Sequence, residues 1–140
     1  MGKIKELKYY DVQKVGTIKE LLEIAVEQAG DKIAFKYKDE KGKVIDVTYK
    51  EFQKDTFELG TALNSINMAD KHIAVIGENS YKWVTVYLTV LKSKGVIVPI
   101  DKELPVCDII NVLNDSDSEV LFYAKKYEKK CNSKRRNEEN

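Results

Sequence analysis

The sequence predicts a doubly wound, mainly parallel α/β sheet with flanking helices, preceded by an antiparallel hairpin. Two observations predict the sheet. Three short apolar runs, IAVI from Ile73, VIVPI from Val96 and VLFY from Val120, are continuous rather than alternating, as strands buried on both faces are. Helical periodicity fills the intervals between them, so the order is strand, helix, strand, helix, strand, that of two crossover units. A third observation predicts the hairpin: IAFKY and VIDVT flank a polar turn holding Gly42, and Ile33, Phe35 and Tyr37 alternate with smaller or polar residues.

In chain order, TIKE at Thr17 has the form of a capping box, in which the Thr hydroxyl and the Glu20 carboxylate satisfy each other's free backbone donors. Ile18, Leu21, Leu22, Ala25, Val26 and Ala29 then recur at helical spacing, and Gly30 suits the stop. After the hairpin, TYKE at Thr48 opens a second capping box, with Phe52, Thr56, Leu59, Leu63 and Ile66 on the face expected to be buried. In SYKWVTVYLTVLKSK the expected inward face carries Val84, Tyr87, Leu88 and Leu91. Gly95 ends that helix, residues 96–100 form a strand, and Asp101 to Pro105 turn into a helix carrying Val106, Ile109, Ile110 and Leu113. Pro99 lacks a backbone donor, which points to an edge strand or a parted ladder. The organisation expected is a lead-in over residues 1–16, an α/β unit over 17–124 and a charged, unstructured tail over 125–140.

With 140 residues, 43% hydrophobic and 34% charged, the chain is long enough for one cored domain and too apolar for wholesale disorder. No apolar run approaches the length of a membrane span, and the N-terminus mixes charges throughout, unlike a secretory or transit signal. These features predict a cytoplasmic protein with no transmembrane segment. The two cysteines, Cys107 and Cys131, read as free thiols, and His72, the single histidine, as a strand-edge residue rather than a base. Seven Lys/Arg against three Glu give the 125–140 tail a charge of +4 within a chain of +1. No aromatic or groove-reading pattern accompanies that charge, so no nucleic-acid partner is expected.

The segment best placed for a ligand is GENS, Gly77, Glu78, Asn79 and Ser80, between the first parallel strand and its helix. Open α/β sheets bind ligands at that carboxyl edge. Gly77 permits a tight turn and Asn79 or Ser80 can cap the helix. No GxGxxG or GxxxxGK[ST] accompanies the loop, so turn plus cap is the better reading of GENS than an anion site. Trp83 and Tyr87, one helical turn apart, read as packing before stacking on a ligand. Glu78, Asp101 and Glu103 read as capping and turn residues before acid–base groups.

Several of these pieces, in this order, resemble the start of the adenylate-forming superfamily. VTYKEF is similar to its first core motif and LKSKGVIVPID to its second. Between them, IAVIGENSYKWVTVYL is similar to the family's strand, Asn-Ser turn and helix. DKIAFKY and SDSEVLFY match the flanking strands, so the resemblance runs from about Ile18 to Tyr123. The wording around residues 78–83 and 102–105 leans toward long-chain acyl-CoA synthetases. Lys94 stands where the family usually has Ala before Gly95.

The resemblance implies ATP-dependent activation of a carboxylic acid, with ATP, magnesium and CoA serving the full-length enzyme. The family's Ser/Thr/Gly-rich phosphate loop, ribose-binding Asp and C-terminal catalytic Lys have no counterpart in this sequence. No position is therefore assigned as catalytic, cofactor-binding or metal-ligating, and the isolated chain is expected to be inactive. The partners implied are the remainder of the adenylating enzyme and, through exposed apolar surface, other copies of the fragment. The alternative is a free-standing α/β binding or interaction module without catalysis.

Overall fold

A computed structural model describes residues 13–131. In chain order these form α1 (Ile18–Ala29), β1 (Ile33–Lys38), β2 (Val44–Thr48), α2 (Tyr49–Ser65), β3 (His72–Ile76), α3 (Tyr81–Lys92), β4 (Val96–Ile100), α4 (Val106–Asp115), β5 (Val120–Tyr123), a 3-10 turn (Lys125–Tyr127) and α5 (Glu128–Cys131).

Both capping boxes form. The Glu20 amide donates to Thr17 Oγ1 at 3.1 Å, and the Glu51 amide to Thr48 Oγ1 at 3.2 Å, with each Glu carboxylate returning to the cap amide. Gly30 ends α1 for a reason other than a left-handed turn: its φ is −51°. An added Cβ would instead sit 2.6 Å from the Val26 carbonyl oxygen. β1 and β2 pair antiparallel. Their turn is held by Asp39, whose Oδ1 accepts from the amides of Lys41 and Lys43, and Gly42 takes a φ of +78° that L side chains avoid.

The parallel sheet has the order β4-β3-β5. β3 is its centre and is nearly dry, with Ile73, Ala74, Val75 and Ile76 at 0–3% exposure. Alternation then sorts the side chains between two cores. Ile73 joins Leu63 of α2 and Val90 of α3, with Ile97, Val120 and Phe122 beside them. Ala74 and Ile76 join Ile100, Ile109 and Leu113, with Val98 and Leu121 beside them. Helices α2 and α3 thus cover one face and α4 the other, which is the doubly wound arrangement. Each fully buried aliphatic side chain there contributes roughly 1.5–3 kcal/mol. Pro99 lies on β4, an edge of this sheet, opposite Val75, where its missing donor costs no ladder bond on the outer side.

Two expectations are corrected. The inward face of α3 is Thr85, Val86, Thr89 and Val90. Val84, Tyr87 and Leu88 are half-buried and Leu91 is 37% exposed. Small residues face inward because α2 packs close: a Cβ added to Gly60 would lie 3.6 Å from Thr89 Cγ2. Thr89 Oγ1 donates to the Thr85 carbonyl and reaches the Thr56 carbonyl at 3.3 Å, so the buried hydroxyl is satisfied. Ile66, likewise, is the C-cap beyond α2 and is 60% exposed rather than buried.

The second correction concerns the tail. Residues 125–131 are ordered against the body, although they carry no hydrophobic stripe. Two side chains suffice: Cys131 enters the core beneath α4, and Tyr127 packs on the same cluster. Lys130 Nζ also donates to the Lys102 carbonyl at 2.8 Å. The rest of the expected tail, 132–140, and residues 1–12 of the lead-in lie outside the described residues.

Candidate functional site

The connections leaving β3 and β5 diverge. β3 runs into α3 on one face, whereas β5 runs into the 3-10 turn and α5, whose Tyr127 and Cys131 belong to the core of the other face. Between strands that part in this way, open α/β sheets leave a crevice at the carboxyl edge. Here it measures about 210 Å3. Ile76, Gly77 and Val75 form one side, Phe122, Tyr123 and Ala124 the other, with Trp83 and Val86 of α3 across the top.

Three of the four predicted loop residues, Gly77, Glu78 and Ser80, line that crevice, together with Lys82; Asn79 is exposed and is not among its walls. Ser80 is the helix cap, its Oγ accepting from the Trp83 amide at 3.2 Å. Gly77 has no positive φ, and an added Cβ would meet Trp83 Cδ1 and Ala124 Cβ at an ordinary 3.6 Å. Its smallness therefore keeps the crevice open rather than relieving strain. Trp83 and Tyr87 stack with ring centroids 5.0 Å apart. Trp83 thus packs, as the spacing suggests, and also walls the crevice, which the spacing does not show.

Glu78 is strongly perturbed at this edge. Its Oε1 accepts from Lys126 Nζ and, at 2.8 Å, from Tyr127 Oη, and Lys102 Nζ stands 3.6 Å away. Hydrogen bonds from Lys126 and then Tyr127 pull its carboxyl down to about 2. Such a carboxylate is a fixed charge, unfit to move protons near neutral pH. Sequence spacing offers no hint of this cluster, because its partners are 48 and 49 residues away.

The other candidates separate from the crevice. Asp101 Oδ1 accepts from the Glu103 amide at 2.9 Å, a turn role, and Glu103 pairs with Lys102. His72 lies at the opposite, amino end of β3, its Nδ1 2.6 Å from the Ser116 carbonyl oxygen, again structural. Cys107 is exposed and Cys131 buried, and neither forms a disulfide. Among the described residues no cluster of His, Cys, Asp or Glu could hold a metal ion. Among them, too, no helix is long and apolar enough to cross a membrane.

Comparison with known proteins agrees with this architecture. Residues 22–140 match the AMP-binding enzyme family. Over 110 residues the chain is 31% identical to a component of the mycosubtilin synthase of Bacillus subtilis, covering 78% of this chain and 4% of that protein. Among solved structures, the anthranilate CoA ligase AuaEII in complex with anthranoyl-AMP superposes with a TM-score of 0.76 at 19% identity, over 87% of this chain and 23% of that one. The N-terminal domain of FACL13 from Mycobacterium tuberculosis gives 0.74 at 19% identity, over 86% of this chain and 30% of that one. The chain therefore spans less than a third of each of these relatives. The match across residues 22–140 shows that this chain belongs to the AMP-binding enzyme family, and its fold is that of the N-terminal domains of adenylate-forming enzymes.

Proposed function

We propose that the chain is the N-terminal α/β portion of an acyl-CoA synthetase-like ligase, which activates a fatty acid with ATP as an acyl-adenylate and passes the acyl group to CoA. The observation that carries this reading is the family match across residues 22–140, on a sheet whose carboxyl edge is open between β3 and β5. The choice of the acyl-CoA branch rests on the loop wording at Glu78–Trp83 and Lys102–Pro105, and it is the finer part of the proposal.

The groups present do not fit a magnesium-bound triphosphate. The crevice is small, walled by Trp83, Val86 and Phe122, and carries the ionised Glu78 at its mouth. Lys82 and the capped start of α3 are the cationic features among its walls, so no step of the reaction is assigned to this edge. The donors that hold ATP, magnesium and CoA belong to other parts of the enzyme. What this chain's own residues do is join the edge: Glu78 ties the β3 loop to the segment that leaves β5, and Trp83 walls the crevice beside the strand ends.

The test is ATP–pyrophosphate exchange with a panel of fatty acids, aromatic acids and amino acids. The 140-residue chain should show none with any acid. A polypeptide extended by the coding sequence beyond Asn140 should exchange most strongly with fatty acids. Preference for amino acids would move the reading to a peptide-synthetase adenylation domain. An extended product without any exchange would favour the free-standing module. Because Phe57 is 70% and Val44 54% exposed, the isolated chain should also self-associate, and a concentration-independent monomer in sedimentation would contradict that.

A further inference from the structure

At the amino edge of the sheet, opposite the crevice, α2 and α3 leave a second and larger hollow that the proposed reaction does not use. It measures about 780 Å3, within the roughly 300–1,000 Å3 of small-molecule sites. Thr61 and Asn64 of α2, Asn67 of the following loop, and Ser93 and Lys94 beyond α3 supply polar walls.

Its distinguishing feature is Lys92. The stem leaves the last turn of α3 half-buried, and Nζ reaches the floor, donating to Thr56 Oγ1 at 3.0 Å, where Thr56 is 2% exposed. An ammonium has three donors, and Thr56 accepts one. Among the described residues no carboxylate comes within ion-pair reach: Glu23 acts on Lys92 only through space and pairs with Lys19 instead, at 3.9 Å. Burial pushes the Lys92 ammonium down, the mark of a cation short of compensation. The C-terminal dipole of α3 and Thr56 provide part of that compensation.

The surrounding charges are mixed. Lys94 adds a second cation at the rim, Lys71 is engaged with Glu119 at 3.2 Å, and Asp70 opposes an incoming anion. Phe57 lies on the same rim, 70% exposed, an aromatic ring left in water beside a charged floor. The hollow is far larger than a single phosphate, so an anion that fills it brings an organic body.

We propose that this groove binds a small organic phosphate monoester, its phosphate against Lys92 and its apolar or aromatic body along Phe57. The groove is separate from the carboxyl-edge crevice, and the site stands whether or not the acyl-CoA reading holds.

The experiment is amide-shift titration of the 140-residue chain with inorganic phosphate and with phenyl phosphate at constant ionic strength. Saturating shifts should concentrate at Thr61, Asn64, Asn67, Ser93 and Lys94, with phenyl phosphate the tighter ligand. Lys92→Met should weaken both by about tenfold or more, as loss of a charge-assisted hydrogen bond does, while Lys92→Arg retains binding. Phe57→Ala should erase the preference for the phenyl compound, and Asp70→Asn should tighten both. Shifts that are absent, that spread alike over exposed lysines, or that survive Lys92→Met would overturn the site. If Lys92→Met does not fold, the exposed Phe57 and Asp70 variants decide by the same titration, and unchanged affinities in both overturn it.

Discussion

Residues 13–50 and the unit from β3 to β5 are stabilised in different ways. In β3, residues 73–76 are 0–3% exposed, and each strand residue faces one of two helical layers. By contrast α1 has no buried residue at all, and Leu21 on it is 46% exposed. β1 and β2 form a two-stranded ribbon with Ile33 and Val44 largely in water, and an isolated hairpin of that kind is marginal. Depth of burial holds one region, whereas caps, a turn, a few ring contacts and the single buried Val47 hold the other. A single chain thus carries a deeply buried core beside a flank whose stability is a sum of small local terms.

The largest break in that comparison should come from the centre of the sheet. Ile73→Ala removes a side chain with no exposed surface and should cost about 2–5 kcal/mol, read as a fall in urea midpoint. Leu22→Ala on half-buried α1 should cost only about 1 kcal/mol. Equal losses would mean that the flank is as cooperative as the sheet.

The junction comes next. Tyr81, the first residue of α3, stacks on Tyr37 at 5.4 Å and meets Phe35 and Phe52 edge-on at 5.3 and 6.0 Å. Its hydroxyl donates to Asp55 Oδ2 at 2.6 Å; burial first, then Asp55, pushes the phenol's pKa up. Tyr81→Ala should cost about 2 kcal/mol, below the full-burial range for aromatic truncation because the ring is half-exposed. Tyr81→Phe should cost about 1 kcal/mol, the value of the hydrogen bond. Hydrogen exchange should rise in β1 and β2 and stay slow in β3. Acceleration in β3 would show that the two regions unfold together.

The same contrast governs what the sequence discloses. Capping boxes at Thr17 and Thr48 are legible because donor and acceptor are three residues apart, and β3 is legible because double burial leaves a continuous apolar run. The orientation of α3 is not, since Val84, Val86, Tyr87, Leu88 and Val90 surround the helix and only close packing against Gly60 selects the threonine face. Of the candidate site, the loop at Gly77–Ser80 is legible from its place after a strand. The Glu78 cluster and the folding of α5 are not, because they depend on contacts across nearly 50 residues and on the two anchors Tyr127 and Cys131.

Smaller effects should come from the caps. Thr48→Ala and Thr17→Ala each remove a satisfied cap worth about 1 kcal/mol, but the consequences should differ. Thr48 opens α2, which buries Phe52, Thr56 and Leu63, so its loss should lower the global urea midpoint. Thr17 opens a helix with no buried residue, and its loss should appear as local fraying in amide exchange of residues 18–22, with the midpoint almost unmoved. A global shift from Thr17→Ala would tie α1 to the core more firmly than its burial implies.

The weakest effect, and the most site-specific, concerns Glu78. Its surface contacts with Lys126, Tyr127 and Lys102 are screened by water, and pairs of that kind contribute little to overall stability. They instead hold residues 125–131 across the carboxyl edge, and Cys131, buried at the end of that segment, reports whether it is closed. The Glu78 carboxyl falls from its ordinary 4.5 to about 2 in the folded chain. A lowered pKa means that the contact is fully present above about 4.5 and is lost as pH falls toward 2. In a Cys107→Ser background, labelling of Cys131 by an acid-tolerant disulfide reagent should therefore accelerate across that window while the far-UV spectrum still shows a folded sheet. Glu78→Gln, which keeps the shape and drops the charge, should label several-fold faster already at pH 6 and lose the acceleration on acidification. A pH-independent rate in the parent, or one unchanged by Glu78→Gln, would mean that Tyr127 and Cys131 hold the segment by packing alone. The segment would then owe its position to the core beneath α4 rather than to the charge at the crevice mouth.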